Sequence, residues 1–152
     1  MQHSISESVT IDATRDEVFN LISNPAECVR ASPSQEFSDI EMNEDGSHEF
    51  DYTYNMAGVR LTGHCLSPEY DSEEHILVYN YQGDIDAEMS LNVTENENGN
   101  TEFSCETTYE VSDSLFGKVV NVVLERYNSR ELETFTKNVK EMIENGWAQT
   151  QV

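Results

Sequence analysis

Four histidines are the side chains of this sequence best suited to acid–base chemistry near neutral pH. Strand alternation predicts that His64 lies opposite Asp51 across a hairpin, where the carboxylate could orient the imidazole as a base. The same register puts both on the polar face of the sheet, so a solvent-exposed cross-strand pair is the favoured interpretation. His48 alternates in step with the apolar, inner-face residues of its strand. Because it lies at the start of that strand, a position at the rim of the inner face is favoured. His3 and His75 are expected to be exposed at strand ends.

Tyrosines are the other polar candidates for a site. Tyr52, Tyr54 and Tyr109 share their strand parity with apolar residues. A buried tyrosine combines a large apolar ring with a hydroxyl that needs a hydrogen-bond partner. In a cavity these hydroxyls could bind a ligand carbonyl or phenol, and in a filled core they pair with backbone or water. Arg60 also has two interpretations: a surface partner of nearby acids, which is favoured, or an anchor for a ligand carboxylate.

The sequence predicts neither a metal nor a cofactor. The histidines lack an HExxH-type spacing, and Cys28, Cys65 and Cys105 are too far apart for a CxxC pair. The acidic run at residues 95–97 lacks the ordered ligand positions of an EF-hand. An odd number of widely spaced cysteines indicates reduced thiols in an intracellular protein.

The composition is strongly acidic, with 30 Asp and Glu against 8 Lys and Arg and a net charge of -22. Such a chain repels nucleic acid and anionic membranes, so neither is an expected partner. Dispersed acids suit concentrated salt, where the Debye length falls to roughly 3 Å at 1 M. The cytoplasm of a halophile is favoured over an acidic mesophilic protein or one with a cationic partner. No run of residues resembles a signal peptide or a transmembrane helix.

The apolar periodicity predicts one domain over residues 1–152, with its core at about 3–146. The first strand is predicted over residues 3–11. Two short helices follow, the first opened by Thr14 and Glu17 as a capping box. From there the apolar period is two, which predicts six further antiparallel strands.

Two of the predicted turns define a register. Ala57-Gly58 is typical of a two-residue hairpin, which pairs Tyr54 with Leu61 on the inner face. The apolar residues of the strand after Gly99 share the inner face with Leu91 only if the loop that joins the two strands has an odd number of residues. A three-residue loop with Gly99 in the left-handed conformation satisfies this condition.

The turn at Gly83-Asp84 decides which face of the fifth strand is inward. A two-residue turn favours Val78 and Asn80 as the inward residues, in place of Tyr79 and Tyr81.

A single amphipathic helix is predicted from Ser112 to Trp147. Ser112-Asp113-Ser114 supplies N-cap residues, and Asn145-Gly146 supplies a left-handed stop. Residues 119–124 are apolar nearly all round, so this turn is expected to be the most enclosed. It is interpreted either as plain core or as the lid of an internal cavity.

Three stretches of this sequence resemble the START-like superfamily, in particular the small polyketide cyclase or SRPBCC proteins related to the birch pollen allergen. They are Val9-x-Ile11-x-Ala13 leading to Val18-Phe19-x-Leu21-Ile22, Leu77-Val78-Tyr79-x-Tyr81-x-Gly83, and Gly99-x-Thr101-x-Phe103 leading to Tyr109. The resemblance covers residues 3–146. It implies an α+β helix-grip fold, in which a curved antiparallel sheet of about seven strands wraps around a long C-terminal helix.

The resemblance also implies a cavity between sheet and helix. Strand alternation and the apolar stripe of the helix predict its lining as Phe50, Tyr52, Tyr54, Leu61, Val78, Asn80, Met89, Leu91, Phe103, Tyr109, Val120 and Leu124. The leading hypothesis is a carrier or sensor that binds a small apolar molecule or lipid without a cofactor. The alternatives are a cyclase, dehydratase or hydrolase that uses the same cavity, and an interaction domain like the activators of chaperone ATPases.

Overall fold

The computed structural model describes residues 2–111 and 121–150. Its strands are β1 (Gln2–Ile11), β2 (Gln35–Met42), β3 (His48–Met56), β4 (Val59–Asp71), β5 (Ile76–Gly83), β6 (Ile85–Glu95) and β7 (Thr101–Val111). Between β1 and β2 lie α1 (Arg15–Ile22), α2 (Pro25–Cys28) and a 3-10 turn (Val29–Ala31). After β7 come α3 (Asn121–Glu144) and the short α4 (Trp147–Thr150).

Within the described residues, the strands form one antiparallel sheet in the order β1-β7-β6-β5-β4-β3-β2. The sheet curves around α3, whose apolar stripe is buried at Leu132, Val139 and Ile143. An amphipathic helix covers the inner face because each element has only one apolar side to bury. The predicted α+β helix-grip fold is therefore confirmed.

The local signals at the first helix and the first hairpin are confirmed. The Thr14 hydroxyl accepts a hydrogen bond from the Glu17 amide at 3.2 Å, which satisfies one free donor of the first turn of α1. Ala57 and Gly58 have φ values of 52° and 88°, as a primed hairpin turn requires. Tyr54 consequently pairs with Leu61.

The loop between β6 and β7 also has the predicted form. Gly99 has a φ of 80°, and the Asn96 amide bonds the Asn100 carbonyl across a three-residue loop. Leu91 therefore faces Cys105 on the inner side.

The prediction for β5 is wrong. Tyr81 pairs with Ala87 and Tyr79 with Met89, so the two tyrosines face inward. Asn80 lies on the outer face beside acidic residues of β6 and β7. Val78 is buried but stays outside the inner core cluster.

The cause is a longer turn than the sequence suggested. Gly83 closes β5 and Ile85 opens β6, and Asp84 between them bonds β4 instead of the hairpin. The Asp84 amide donates to the Thr62 carbonyl at 3.1 Å, and the Asp84 carboxylate accepts from the Thr62 amide at 3.0 Å. One extra residue in the turn inverts every side chain of the strand.

Two histidines expected to be exposed are buried. His3 is 7% exposed and its ring stacks on Tyr109 at a centroid distance of 5.0 Å. His75 is 8% exposed, with its Nε2 atom 2.7 Å from the Asp16 carboxylate and its ring against Phe19. Both lie at strand ends that other elements cover, which local periodicity does not reveal.

The long helix is confirmed from Asn121 to Glu144, and Gly146 with a φ of 95° ends it as predicted. The predicted N-cap residues 112–114 lie outside the described residues. In the turn expected to be enclosed, Leu124 is buried but Val123 is 57% exposed, so that expectation is wrong at Val123. In the described part of the chain, no helix is long and apolar enough to cross a membrane.

Candidate functional site

A cavity lies between the concave face of the sheet and the first half of α3. Its volume, taken as the space that the centre of a water molecule can occupy, is about 70 Å³. By that measure it has room for on the order of five waters. Its wall is mainly aromatic and aliphatic, with rings contributed by Tyr52, Tyr54, Tyr81, Tyr109 and Phe135.

The Tyr52 side chain extends from β3 toward β5, at one end of the cavity. Its hydroxyl donates to the Gln82 carbonyl at 2.9 Å, and its ring stands edge-on to Tyr81 at 5.1 Å. This position depends on Gly63, since a Cβ atom there would lie 2.7 Å from the Tyr52 hydroxyl and 1.8 Å from the Gln82 carbonyl. Burial raises the pKa of Tyr52 to about 12, so the phenol stays protonated.

Tyr54 is tied to the helix. Its hydroxyl donates to the Asn128 side-chain oxygen at 2.6 Å, and the Asn128 amide nitrogen lies 3.6 Å from the Met56 sulfur. Burial, with a smaller contribution from the Glu131 charge, raises the pKa of Tyr54. The bond fixes β3 against α3 at the cavity wall.

Three polar atoms of the lining are buried without a hydrogen-bond partner among the described residues. They are the Gln35 side-chain oxygen, the Thr107 hydroxyl and the Tyr109 hydroxyl. Tyr109 is 2% exposed, and its hydroxyl lies near Asn128 without bonding it in normal geometry. Native proteins pair nearly all buried polar groups, so such a group indicates strain, an unplaced water or a missing ligand.

One carboxylate, that of Glu131, lines the cavity in the described part of the chain. It accepts a hydrogen bond from the Ser34 hydroxyl at 2.9 Å and makes no ion pair with any described residue. No Lys or Arg lies in the described lining. The interior of the site is therefore electrically negative.

The structure brings together four of the predicted cavity residues: Tyr52, Tyr54, Met89 and Tyr109. The others are distributed in three ways. Buried in the core beside the cavity, without lining it, are Phe50, Leu61, Leu91, Phe103 and Leu124. Val78 and Asn80 belong to the outer face, and Val120 lies outside the described residues.

Three of the polar lining residues that were missed, Asn128, Gln35 and Thr107, do have a signal in the sequence. Asn128 interrupts the apolar stripe of α3 midway between Leu124 and Leu132, at four-residue steps. Gln35 shares the parity of Phe37, and Thr107 shares that of Tyr109. A polar residue at a position where the periodicity predicts an apolar one is a signal that indicates a cavity wall.

The other sequence candidates lie elsewhere. The His64 Nδ1 atom is 2.7 Å from the Asp51 carboxylate, and both side chains are more than 40% exposed on the outer face. His48 is half-buried, and its Nδ1 atom has no partner among the described residues. The three free cysteines are buried, and no cluster in the described residues has three or more metal-ligating His, Cys, Asp or Glu side chains.

Comparison with known proteins supports a shared architecture. A family model described as polyketide cyclase / dehydrase and lipid transport matches residues 2–144. No curated protein sequence matches the chain.

Three solved structures illustrate the similarity of fold. The protein TTHA0849 from Thermus thermophilus has a TM-score of 0.83 at 15% identity, covering 94% of this chain and 98% of that one. A START superfamily protein from Mycobacterium smegmatis has a TM-score of 0.77 at 16% identity, covering 94% and 98%. The Zhui aromatase/cyclase from Streptomyces sp. R1128 has a TM-score of 0.69 at 14% identity, covering 94% and 96%.

Proposed function

The chain belongs to the polyketide cyclase / dehydrase and lipid transport family, and we propose that it binds a small, largely apolar molecule between the sheet and α3, as a carrier or sensor. The observation that supports this most is the set of unpartnered polar atoms at Gln35, Thr107 and Tyr109 in an otherwise apolar wall. Each such atom costs about 1–3 kcal/mol when buried unpaired. A ligand that bonded them would recover that free energy on binding, and the apolar rings would bury its body.

The proposed contacts are the lining residues that the sequence predicted, Tyr52, Tyr54, Met89 and Tyr109, together with Tyr81. The buried residues behind them shape the wall without touching the ligand. The proposal needs no cofactor.

A second candidate is an enzyme that uses the same cavity. The Tyr109 hydroxyl and the Glu131 carboxylate both face one space, so a phenol donor and a carboxylate base are available for proton transfer at a bound carbonyl compound. The name of the Streptomyces relative, an aromatase/cyclase, favours this class of reaction. An interaction domain has less support, because the large exposed apolar side chains of the described residues are Met42 on β2 and Val123 on α3.

The test is native mass spectrometry of the protein purified from its own host, followed by extraction of any bound compound. We expect one small apolar molecule per chain in the wild type and none in Ala87→Leu, which adds volume to the cavity wall. Ser90→Leu is the matched control, since it adds the same side chain to the opposite face of β6. A compound that turns over on the protein would favour the enzyme. An empty wild type without saturable binding would contradict the proposal.

We also propose that the protein works in the cytoplasm, in concentrated salt. The support is the net charge of -22, which makes the chain repel itself at low salt, and the buried free thiols. Screening such repulsion should raise the melting temperature between dilute buffer and molar KCl. An unchanged melting temperature would contradict the salt requirement.

A further inference from the structure

We propose that the ligand of this cavity is a small apolar amine, bound through its protonated nitrogen at Glu131. This inference rests on the proposed function and narrows it to one chemical class. It is based on the sign of the charge in the wall, on the aromatic rings around it, and on which polar atoms lack partners.

The described wall of the cavity carries a negative charge and no positive one. Glu131 uses one carboxylate oxygen to accept from Ser34 and makes no ion pair with a described residue. The cations nearest in sequence, Arg126 and Arg130, have exposed side chains, and no described Lys or Arg lines the cavity. A fatty acid or other carboxylate would therefore meet the like charge of the half-buried Glu131 with no compensating cation in the described lining, which disfavours its binding.

The rest of the wall suits a cation. Aromatic faces attract an ammonium group, most strongly where water is excluded, and four tyrosine rings surround this space. The Gln35 side-chain oxygen is a buried acceptor without a partner in the described residues, and an N–H donor would satisfy it. The unpartnered Tyr109 hydroxyl, on a side chain that is only 2% exposed, can likewise accept from a donor. A protonated amine on a ring or short chain meets all of these conditions at once.

The experiment compares three probes of matched size: 2-phenylethylamine, 2-phenylethanol and 3-phenylpropionate. Affinities are measured by isothermal titration calorimetry in about 1 M KCl, where a Debye length of roughly 3 Å screens the acidic surface. We expect the amine to bind about tenfold or more tightly than the alcohol, as a charge-assisted hydrogen bond predicts, and the carboxylate to bind most weakly.

Glu131→Gln keeps an oxygen for Ser34 and removes the charge, so it should abolish the preference for the amine and leave the alcohol within about threefold. Glu133→Gln, an exposed position on the same helix, makes the same change in net charge and should alter neither affinity. Equal or tighter binding of 3-phenylpropionate, or an amine preference that survives Glu131→Gln, would overturn the amine assignment and leave the proposed function standing. Failure of all three probes to bind saturably would overturn both.

Discussion

The two ends of the space between sheet and helix are built from the same strands but filled differently. At the end beside α1, which we call the packed end, the core includes Phe50, Leu91, Phe103, Val139 and Ile143, each at most 5% exposed. At the other end, which we call the hollow end, the same strands contribute tyrosines and short side chains around the cavity. We infer that the packed end mainly stabilises the fold, and that the hollow end is less tightly packed where the proposed ligand would bind.

Two buried tyrosine hydroxyls, one at each end, differ in their hydrogen bonding. At the packed end the Tyr79 hydroxyl donates to the Ile22 carbonyl at 2.8 Å, which joins β5 to α1. At the hollow end the Tyr109 hydroxyl is equally enclosed and has no partner among the described residues. A buried hydroxyl without a partner in the cavity wall is expected if this end binds a ligand.

The largest expected effect comes from truncating the packed end. Phe103 is fully buried and its ring lies 6.0 Å from that of Phe135. Phe103→Ala should lower the free energy of unfolding by about 3–5 kcal/mol, because it removes apolar contacts and leaves a cavity. Met89→Ala at the hollow end removes a half-buried side chain beside an existing space and should cost only about 1 kcal/mol. Urea unfolding at one fixed salt concentration measures both, and equal losses would contradict the contrast between the ends.

The fold could be predicted from the sequence to the extent that it depends on local turns. Ala57-Gly58 and the Gly99 loop each fix a register by their own backbone conformation, so counting from them was sufficient. The Gly83-Asp84 turn failed because Asp84 bonds Thr62, which is distant in sequence. As a result, the inner and outer faces of β5 were assigned the wrong way round, and Val78 and Asn80 were wrongly predicted to line the cavity.

The site could be predicted only in part. Strand alternation found the apolar and aromatic lining. Gln35 and Thr107 also have inner-face positions but were passed over because their side chains are polar, and Glu131 lies on the helix, where strand alternation does not apply. Asn128 and Glu131 lie on a helix predicted from its apolar stripe, and their proximity to Tyr54 and Ser34 depends on how that helix packs across β3. Burial of His3 likewise results from packing between distant elements.

A smaller difference in stability is expected between substitutions of Tyr79 and Tyr109. Tyr79→Phe leaves the Ile22 carbonyl without its donor and should lower the free energy of unfolding by about 1–3 kcal/mol. Tyr109→Phe removes a hydroxyl that has no partner among the described residues and should change stability by less than about 0.5 kcal/mol, or raise it. The same Tyr109→Phe variant should bind the ligand more weakly. A stability loss in Tyr109→Phe as large as in Tyr79→Phe would indicate that the hydroxyl is satisfied in the free protein.

The smallest expected effect distinguishes the packed end from the outer face of the same hairpin. His48 lies at the start of β3, where partial burial lowers the pKa of its imidazole against a smaller opposing contribution from a hydrogen bond to the Ser23 backbone. On the outer face the hydrogen bond from His64 to Asp51 raises the pKa of that imidazole. NMR titration of the ring protons should therefore find His64 titrating above, and His48 below, the ordinary value of about 6.5.

The two shifts have opposite consequences for stability. The His64 contribution is present below about pH 6.5 and is lost as pH rises through its raised folded-state pKa. His48 favours its neutral form in the fold, so its effect is to lower stability as pH falls from about 6.5 through its depressed folded-state pKa. Asp51→Asn should lower the pKa of His64 toward its ordinary value, although the Glu49 carboxylate 3.5 Å away still raises it. The pKa of His48 should not change, because its burial is unchanged. If both histidines moved together in that variant, the inner and outer faces would share one electrostatic environment, and the separation of the packed end from solvent would be contradicted.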